Sequence, residues 1–178
     1  MALTTDQIVA AQNDQALFEL LWDELVRLIP DSVQNDNELY FMNLPRLPRG
    51  LRAMVGIKYL DLSMQMDDLA WHFTNQTDQR DLVETHAGLR ELELTEFADD
   101  FEKLWNFLKP YRLELESSDF GGRERHVWLR EVGAQSLADP INERIWDYCS
   151  GHDFYLLRAW LYYARKFPER CVVCEGKA

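Results

Sequence analysis

Basic residues are scarce in this chain of 178: 19 lysines and arginines stand against 31 aspartates and glutamates, a net charge of −12. So acidic a chain is a poor ligand for nucleic acid itself, because that affinity comes mainly from cations neutralising phosphates. Glycine (8) and proline (6) are few, which excludes a linker or low-complexity protein. No apolar run approaches the roughly 20 residues needed to cross a bilayer. The start, Met-Ala-Leu-Thr-Thr-Asp-Gln, has neither the basic nor the apolar part of a secretory signal. Three cysteines (Cys149, Cys171, Cys174) are an odd number and make no disulfide framework. Together these absences predict a cytoplasmic protein with no membrane contact.

Signatures of chemistry are equally thin. There is no Gly-rich phosphate loop and no Gly-x-Ser-x-Gly elbow. Cys171-Val172-Val173-Cys174 is a lone Cys-x-x-Cys pair, without the second pair that structural zinc requires. It follows a helix, whereas a thioredoxin-like motif opens one, so it reads as a frayed or partly packed tail. His72 lies near Asp67 and Asp68, but Trp71 and Phe73 beside it favour a partly buried, hydrogen-bonded imidazole. His86 shares an apolar helix face, and His126 and His152 have no recognisable partner. No catalytic, cofactor-binding or metal-binding residue is assigned, no cofactor is expected, and the chain is not expected to be an enzyme.

What the sequence does have is core material, 47% apolar and 12% aromatic, arranged with helical periodicity almost throughout. Strand-like alternation is nearly missing. The pattern predicts an all-α fold, one domain over residues 1–178, built as a bundle of about seven to eight helices. The first stretch covers about 5–28, with Asp14 capping its second part and Leu17, Leu20, Leu21, Leu25 and Leu28 on one face. Residues 31–37 read as a loop. Leu39-Tyr40-Phe41-Met42 fits a short strand or a helical turn. Pro45 and Pro48 open a longer helix with Leu51, Met54, Val55, Tyr59 and Leu62 inward. A break at Met66-Asp67-Asp68 precedes a short helix through Phe73.

Residues 79–92 predict a helix with Leu82, Val83, His86 and Leu89 inward. Residues 95–108 predict another, with Thr95 as cap and Phe97, Phe101, Leu104, Trp105 and Leu108 on its core face. Gly121-Gly122 is a turn, and His126–Leu129 fits either helix or strand. Helices over 136–149 and 153–167 complete the chain, the last capped by His152-Asp153. The tryptophans are assigned to the core, with Trp160-Leu161-Tyr162-Tyr163 as the exposed aromatic contact.

Charge is clustered. Residues 61–102 carry 12 acids and 2 bases, whereas residues 156–178 carry 2 acids and 5 bases. Solubility needs no such clustering. Acids three or four apart on a helix lie about 5–6 Å from one another, against roughly 3.4 Å per phosphate along a DNA strand. A row of them imitates the charge line of a duplex and attracts a basic surface from a distance. The candidate face is Asp78, Asp81, Glu84, Glu91, Glu93, Glu96, Asp99, Asp100 and Glu102. The alternative is that these are the solvated faces of two amphipathic helices.

Three blocks also carry a resemblance. They are Leu62–Asn75 (LSMQMDDLAWHFTN), Glu84–Leu108 (ETHAGLRELELTEFADDFEKLWNFL) and Ile141–Arg170 (INERIWDYCSGHDFYLLRAWLYYARKFPER). Over about residues 50–170 the chain resembles the bacterial DNA-mimic-protein family. It departs from the family at Met66-Asp67-Asp68, where the family has Asn-Gly-Gly. The resemblance implies an all-helical fold and a surface of carboxylates that occupies a transcription regulator in place of DNA. The expected partner is therefore a basic DNA-binding protein or transcription regulator, and a homodimer is compatible with the reading. Two other functions fit the composition: an antitoxin or immunity protein neutralising a basic toxin, and a hydrolase with a metal at Asp67, Asp68 and His72.

Overall fold

The computed structural model describes residues 2–117 and 124–173. Among these residues all regular structure is helical, which bears out the all-α expectation. The expected count of seven to eight helices is too low. Six segments of ten or more residues carry the fold: α2 (Asp14–Leu28), α5 (Arg49–Met66), α7 (Gln79–Glu91), α8 (Thr95–Leu108), α11 (Ala134–Cys149) and α12 (Leu157–Lys166). Between them lie α1 (Thr5–Ala10), α3 (Asp31–Gln34), α4 (Asn37–Asn43), α6 (Leu69–Asn75), α9 (Arg112–Glu116) and α10 (Arg125–Glu131). Several of these short helices fall where the sequence reads as loop. The residues that signal turns also cap helices: Asp36 accepts the Leu39 N–H at 3.0 Å and starts α4, so Leu39–Met42 is helix. His126–Leu129 likewise belongs to α10. The Gly121-Gly122 turn lies outside the described residues.

Three caps differ from expectation. Asn13, not Asp14, caps α2, accepting the Ala16 N–H at 2.9 Å. Thr95 sits one residue inside α8, whose cap Leu94 makes no side-chain bond. No His152-Asp153 cap forms, because turns occupy the chain until α12 begins at Leu157.

The central element is α5, enclosed on most of its circumference by α6, α7, α11 and α12. A helix buried on several sides has no single apolar stripe, so three-four spacing picks out the wrong edge. Leu51, Met54 and Val55 are buried as expected, but Tyr59 and Leu62 face solvent together with Met66. On α7, Leu82 and Leu89 are buried while Val83 is exposed and His86 only half-buried. Thr85 and Gly88 take the inward positions, and Thr85 Oγ1 donates to the Gly56 carbonyl of α5 at 2.8 Å.

Helix α8 lies between α7 and α11. Its buried Phe101, Leu104 and Leu108 fix which face it shows to solvent. Trp160, Leu161 and Tyr163 of α12 are core, so of the expected exposed aromatic contact only Tyr162 reaches the surface. Trp22 and Trp146 are partly exposed instead. No helix among the described residues is long and apolar enough to cross a membrane.

Candidate functional site

The nine expected carboxylates do not form one open strip. The helices that carry them pack against arginine-bearing elements, and most of the acids are tied down there. Asp78 caps α7 and accepts both the backbone and the guanidinium of Arg80, which holds its carboxyl below the usual range. Glu84 forms a two-pronged pair with Arg52 of α5, at 2.7 and 2.8 Å. Glu91 takes Arg49 at 2.5 Å, Arg170 at 3.5 Å and the Tyr163 hydroxyl. Asp100 takes Arg144 of α11 at 2.5 Å. The basic C-terminal segment thus folds back on the acids, because Lys166 also holds Glu93 at 2.6 Å.

Exposure separates these ties into two kinds. The carboxylates of Glu84, Glu91 and Asp100 are only 13%, 17% and 17% exposed, so breaking their pairs would strand a poorly hydrated charge. They are committed to the fold. Asp81 is half-buried, and burial followed by the neighbouring Asp78 pushes its carboxyl up to about 6. Glu93 and Asp99 differ: at 55% and 61% exposure, their pairs with Lys166 and Arg90 are surface pairs. Such a pair contributes about 0–1 kcal/mol, so an incoming guanidinium can replace it. Glu102 is 51% exposed, with only His86 near it among the described residues, at 3.8 Å. Glu96 is exposed and makes no ion pair among the described residues.

Four carboxylates therefore remain available: Glu93, Glu96, Asp99 and Glu102, each three residues from the next. The last three wind across the outer face of α8, rising about 4.5 Å along the axis per step. The periodicity that buries Phe101, Leu104 and Leu108 is what turns them outward.

Glu93 sits in a strained position. Helix α7 ends in a Schellman motif, with Leu94 N–H to Leu89 O at 2.9 Å and Glu93 N–H to Arg90 O at 3.2 Å. That motif places Glu93 at φ +63°, a left-handed position that usually takes glycine. Glu93→Gly is expected to stabilise the fold by about 0.5–1 kcal/mol despite losing the Lys166 pair, as measured by urea unfolding. A loss of stability would show that the pair outweighs the strain.

The grouping of Asp67, Asp68 and His72 does not converge. Asp68 caps α6 through Trp71 N–H at 2.7 Å and accepts Gln135 Nε2 at 2.7 Å. His72 is fully buried, with Nδ1 3.0 Å from Ser63 Oγ. The Ser63 hydroxyl already donates to Tyr59 O, so Nδ1 is the donor in that contact and Nε2 is a bare acceptor among aromatic rings. Burial lowers the imidazole to about 4. Among the described residues no three His, Cys, Asp or Glu side chains gather as a metal site. Cys171 is fully buried, packed rather than frayed, and Cys174 lies outside the described residues. His126 does have a partner, Glu124 at 3.2 Å.

What sequence reasoning missed is the set of bases that disarm the acids, chiefly Arg49, Arg52, Arg144 and Lys166. The one available signal was the positive balance of residues 156–178, which holds Lys166 and Arg170. Comparison with protein-family models, with curated proteins and with solved structures finds no match for this chain.

Proposed function

We propose that the chain is a non-enzymatic binding module that places an acidic helix on the cationic surface of a DNA-binding protein, a transcription regulator being the expected target. The observation that supports this is the row Glu96, Asp99 and Glu102 on α8, with Glu93 at its head. These are acids the fold does not need, spaced to meet successive cations. Glu93 adds a second argument, since a strained residue persists where something other than stability retains it. The site is thus four residues rather than nine: Asp78, Glu84, Glu91 and Asp100 serve the packing, and Asp81 is half-buried.

The test is competition. Labelled duplex bound to regulators from the same genome is titrated with the chain and followed by fluorescence anisotropy. The chain should displace duplex from its target, with affinity falling as salt rises. The variant Glu96→Lys/Asp99→Lys/Glu102→Lys should lose at least tenfold in competition while remaining folded, because each reversed charge meets a like charge on the partner. Undiminished competition by that folded variant would remove α8 as the site.

A further inference from the structure

Most arginines among the described residues pair with a carboxylate. Arg52, Arg90 and Arg144 all hold one. The guanidinium of Arg158 in α12 makes no ion pair and no hydrogen bond among the described residues, yet it is not left loose: it sits 3.7 Å from the centre of the Tyr148 ring. Stacking uses the face of the guanidinium and leaves its in-plane N–H donors unspent. Tyr148 is itself braced by Phe97 at 5.2 Å. The result is a fixed fork of donors with nothing on its prongs.

That fork lines an open groove of about 480 Å³ between the corner joining α7 to α8 and the side of α12. Leu92, Leu94, Ala159 and Tyr162 give it apolar walls, and the volume falls in the range of small-molecule sites. The other charges at its rim are matched. Arg165 pairs with Asp14 at 3.0 Å and Glu93 with Lys166 at 2.6 Å. One positive charge is left over, that of Arg158. His152 adds an imidazole at the edge.

We infer that this groove binds a monoanion, a carboxylate carried on a flat apolar body. The carboxylate takes the Arg158 fork in the two-pronged geometry that suits it. The body lies against Tyr148, Leu94 and Tyr162. A second negative charge on the ligand would have no cation to meet and would face Glu93 and Asp14. The inference is independent of the competition with DNA, and either can fail alone.

Benzoate is the probe, titrated into the full chain and followed by calorimetry and by NMR shifts of the groove residues. Saturable binding is expected with a dissociation constant on the order of 1 mM, as suits so small a ligand. Acetate, lacking the apolar body, should bind at least about fivefold more weakly, and phenyl phosphate no more tightly than benzoate. Arg158→Gln should weaken benzoate at least tenfold. Should that variant fold poorly, Tyr162→Ala, which removes only an exposed ring, should weaken benzoate about threefold without moving the unfolding midpoint. Absence of saturation by the unaltered chain at about 20 mM, unchanged binding by Arg158→Gln, or tighter binding of phenyl phosphate would each overturn the assignment.

Discussion

Gly56→Ala is expected to destabilise the fold by about 2 kcal/mol or more, although helix propensity alone predicts a gain of about 1 kcal/mol. The reason lies where α5 crosses α7. A Cβ on Gly56 would stand 2.3 Å from the Glu84 carbonyl oxygen and 2.9 Å from its carbon. A Cβ on Gly88, in the opposite helix, would stand 2.7 Å from the Ala53 carbonyl oxygen. In both places the obstacle is backbone, which cannot rotate away, so the helices must part. Parting them lengthens the Thr85 bond to Gly56 and the Arg52–Glu84 pair, both of which span the crossing. It also leaves a gap beside Ile57, a fully buried neighbour. Gly88→Ala should act in the same direction with a smaller effect, since its clash is milder. Urea unfolding of the two variants measures both. Stabilisation of either by the propensity increment would mean that the crossing is looser than the distances require. The crossing also bears on α8, which packs on α7 and is tied to it by Arg90 and Asp99. Any loss of competition by Gly56→Ala would therefore be read as displacement of α8, not as loss of a contact.

How far the sequence discloses this arrangement depends on the range of the interaction involved. The limits of α7 and α8 are local matters of spacing, caps and breakers. Both were legible to within about one residue. The faces of α8 were legible too, because it is buried on one side only. For α5 they were not: Tyr59 and Leu62 satisfy an apolar stripe but lie on the one side that no helix covers. The acids fail as a local reading for a further reason. Arg52 is 32 positions from Glu84, Arg144 is 44 from Asp100, and Lys166 is 73 from Glu93. A tally by segment sees the carboxylates and misses cations that arrive from elsewhere in the chain. It recovers the loosely held members, Glu96 and Glu102, only as part of a larger set. Arg158 escaped for the converse reason. Its significance is the lack of a carboxylate partner among the described residues, which nothing in a sequence displays.

Asp61 supplies the other large effect. It is buried in α5, and there its carboxylate closes the start of a different helix, accepting the N–H groups of Leu156, at 2.8 Å, and Leu157. Gln65 donates to its other oxygen at 2.7 Å. Burial raises the carboxyl from 3.8 to about 6, and those bonds pull the other way without cancelling it. The unfolded chain ionises Asp61 near pH 4, whereas the folded chain resists ionisation until about pH 6. Stability therefore falls as pH rises through that window, by on the order of 3 kcal/mol from this group at about 1.4 kcal/mol per pKa unit. His72 opposes it. Its imidazole, lowered to about 4, costs stability as pH falls from 6.5, whereas Asp81, also raised to about 6, acts in the same direction as Asp61, so the slope of the unaltered chain is a sum of several groups. The contribution emerges by difference. Asp61→Asn keeps one oxygen for the N–H groups and lets the exposed Gln65 turn its amide. Relative to the unaltered chain, it should gain about 2–3 kcal/mol between pH 4 and pH 7, with His72 and Asp81 cancelling in the comparison. Asp61→Ala abandons the two N–H groups beside the buried Leu156 and should cost about 2–3 kcal/mol near pH 4. Denaturant unfolding across pH 4–7 measures both. A flat difference for Asp61→Asn would mean that the carboxylate is ionised throughout and that water reaches it.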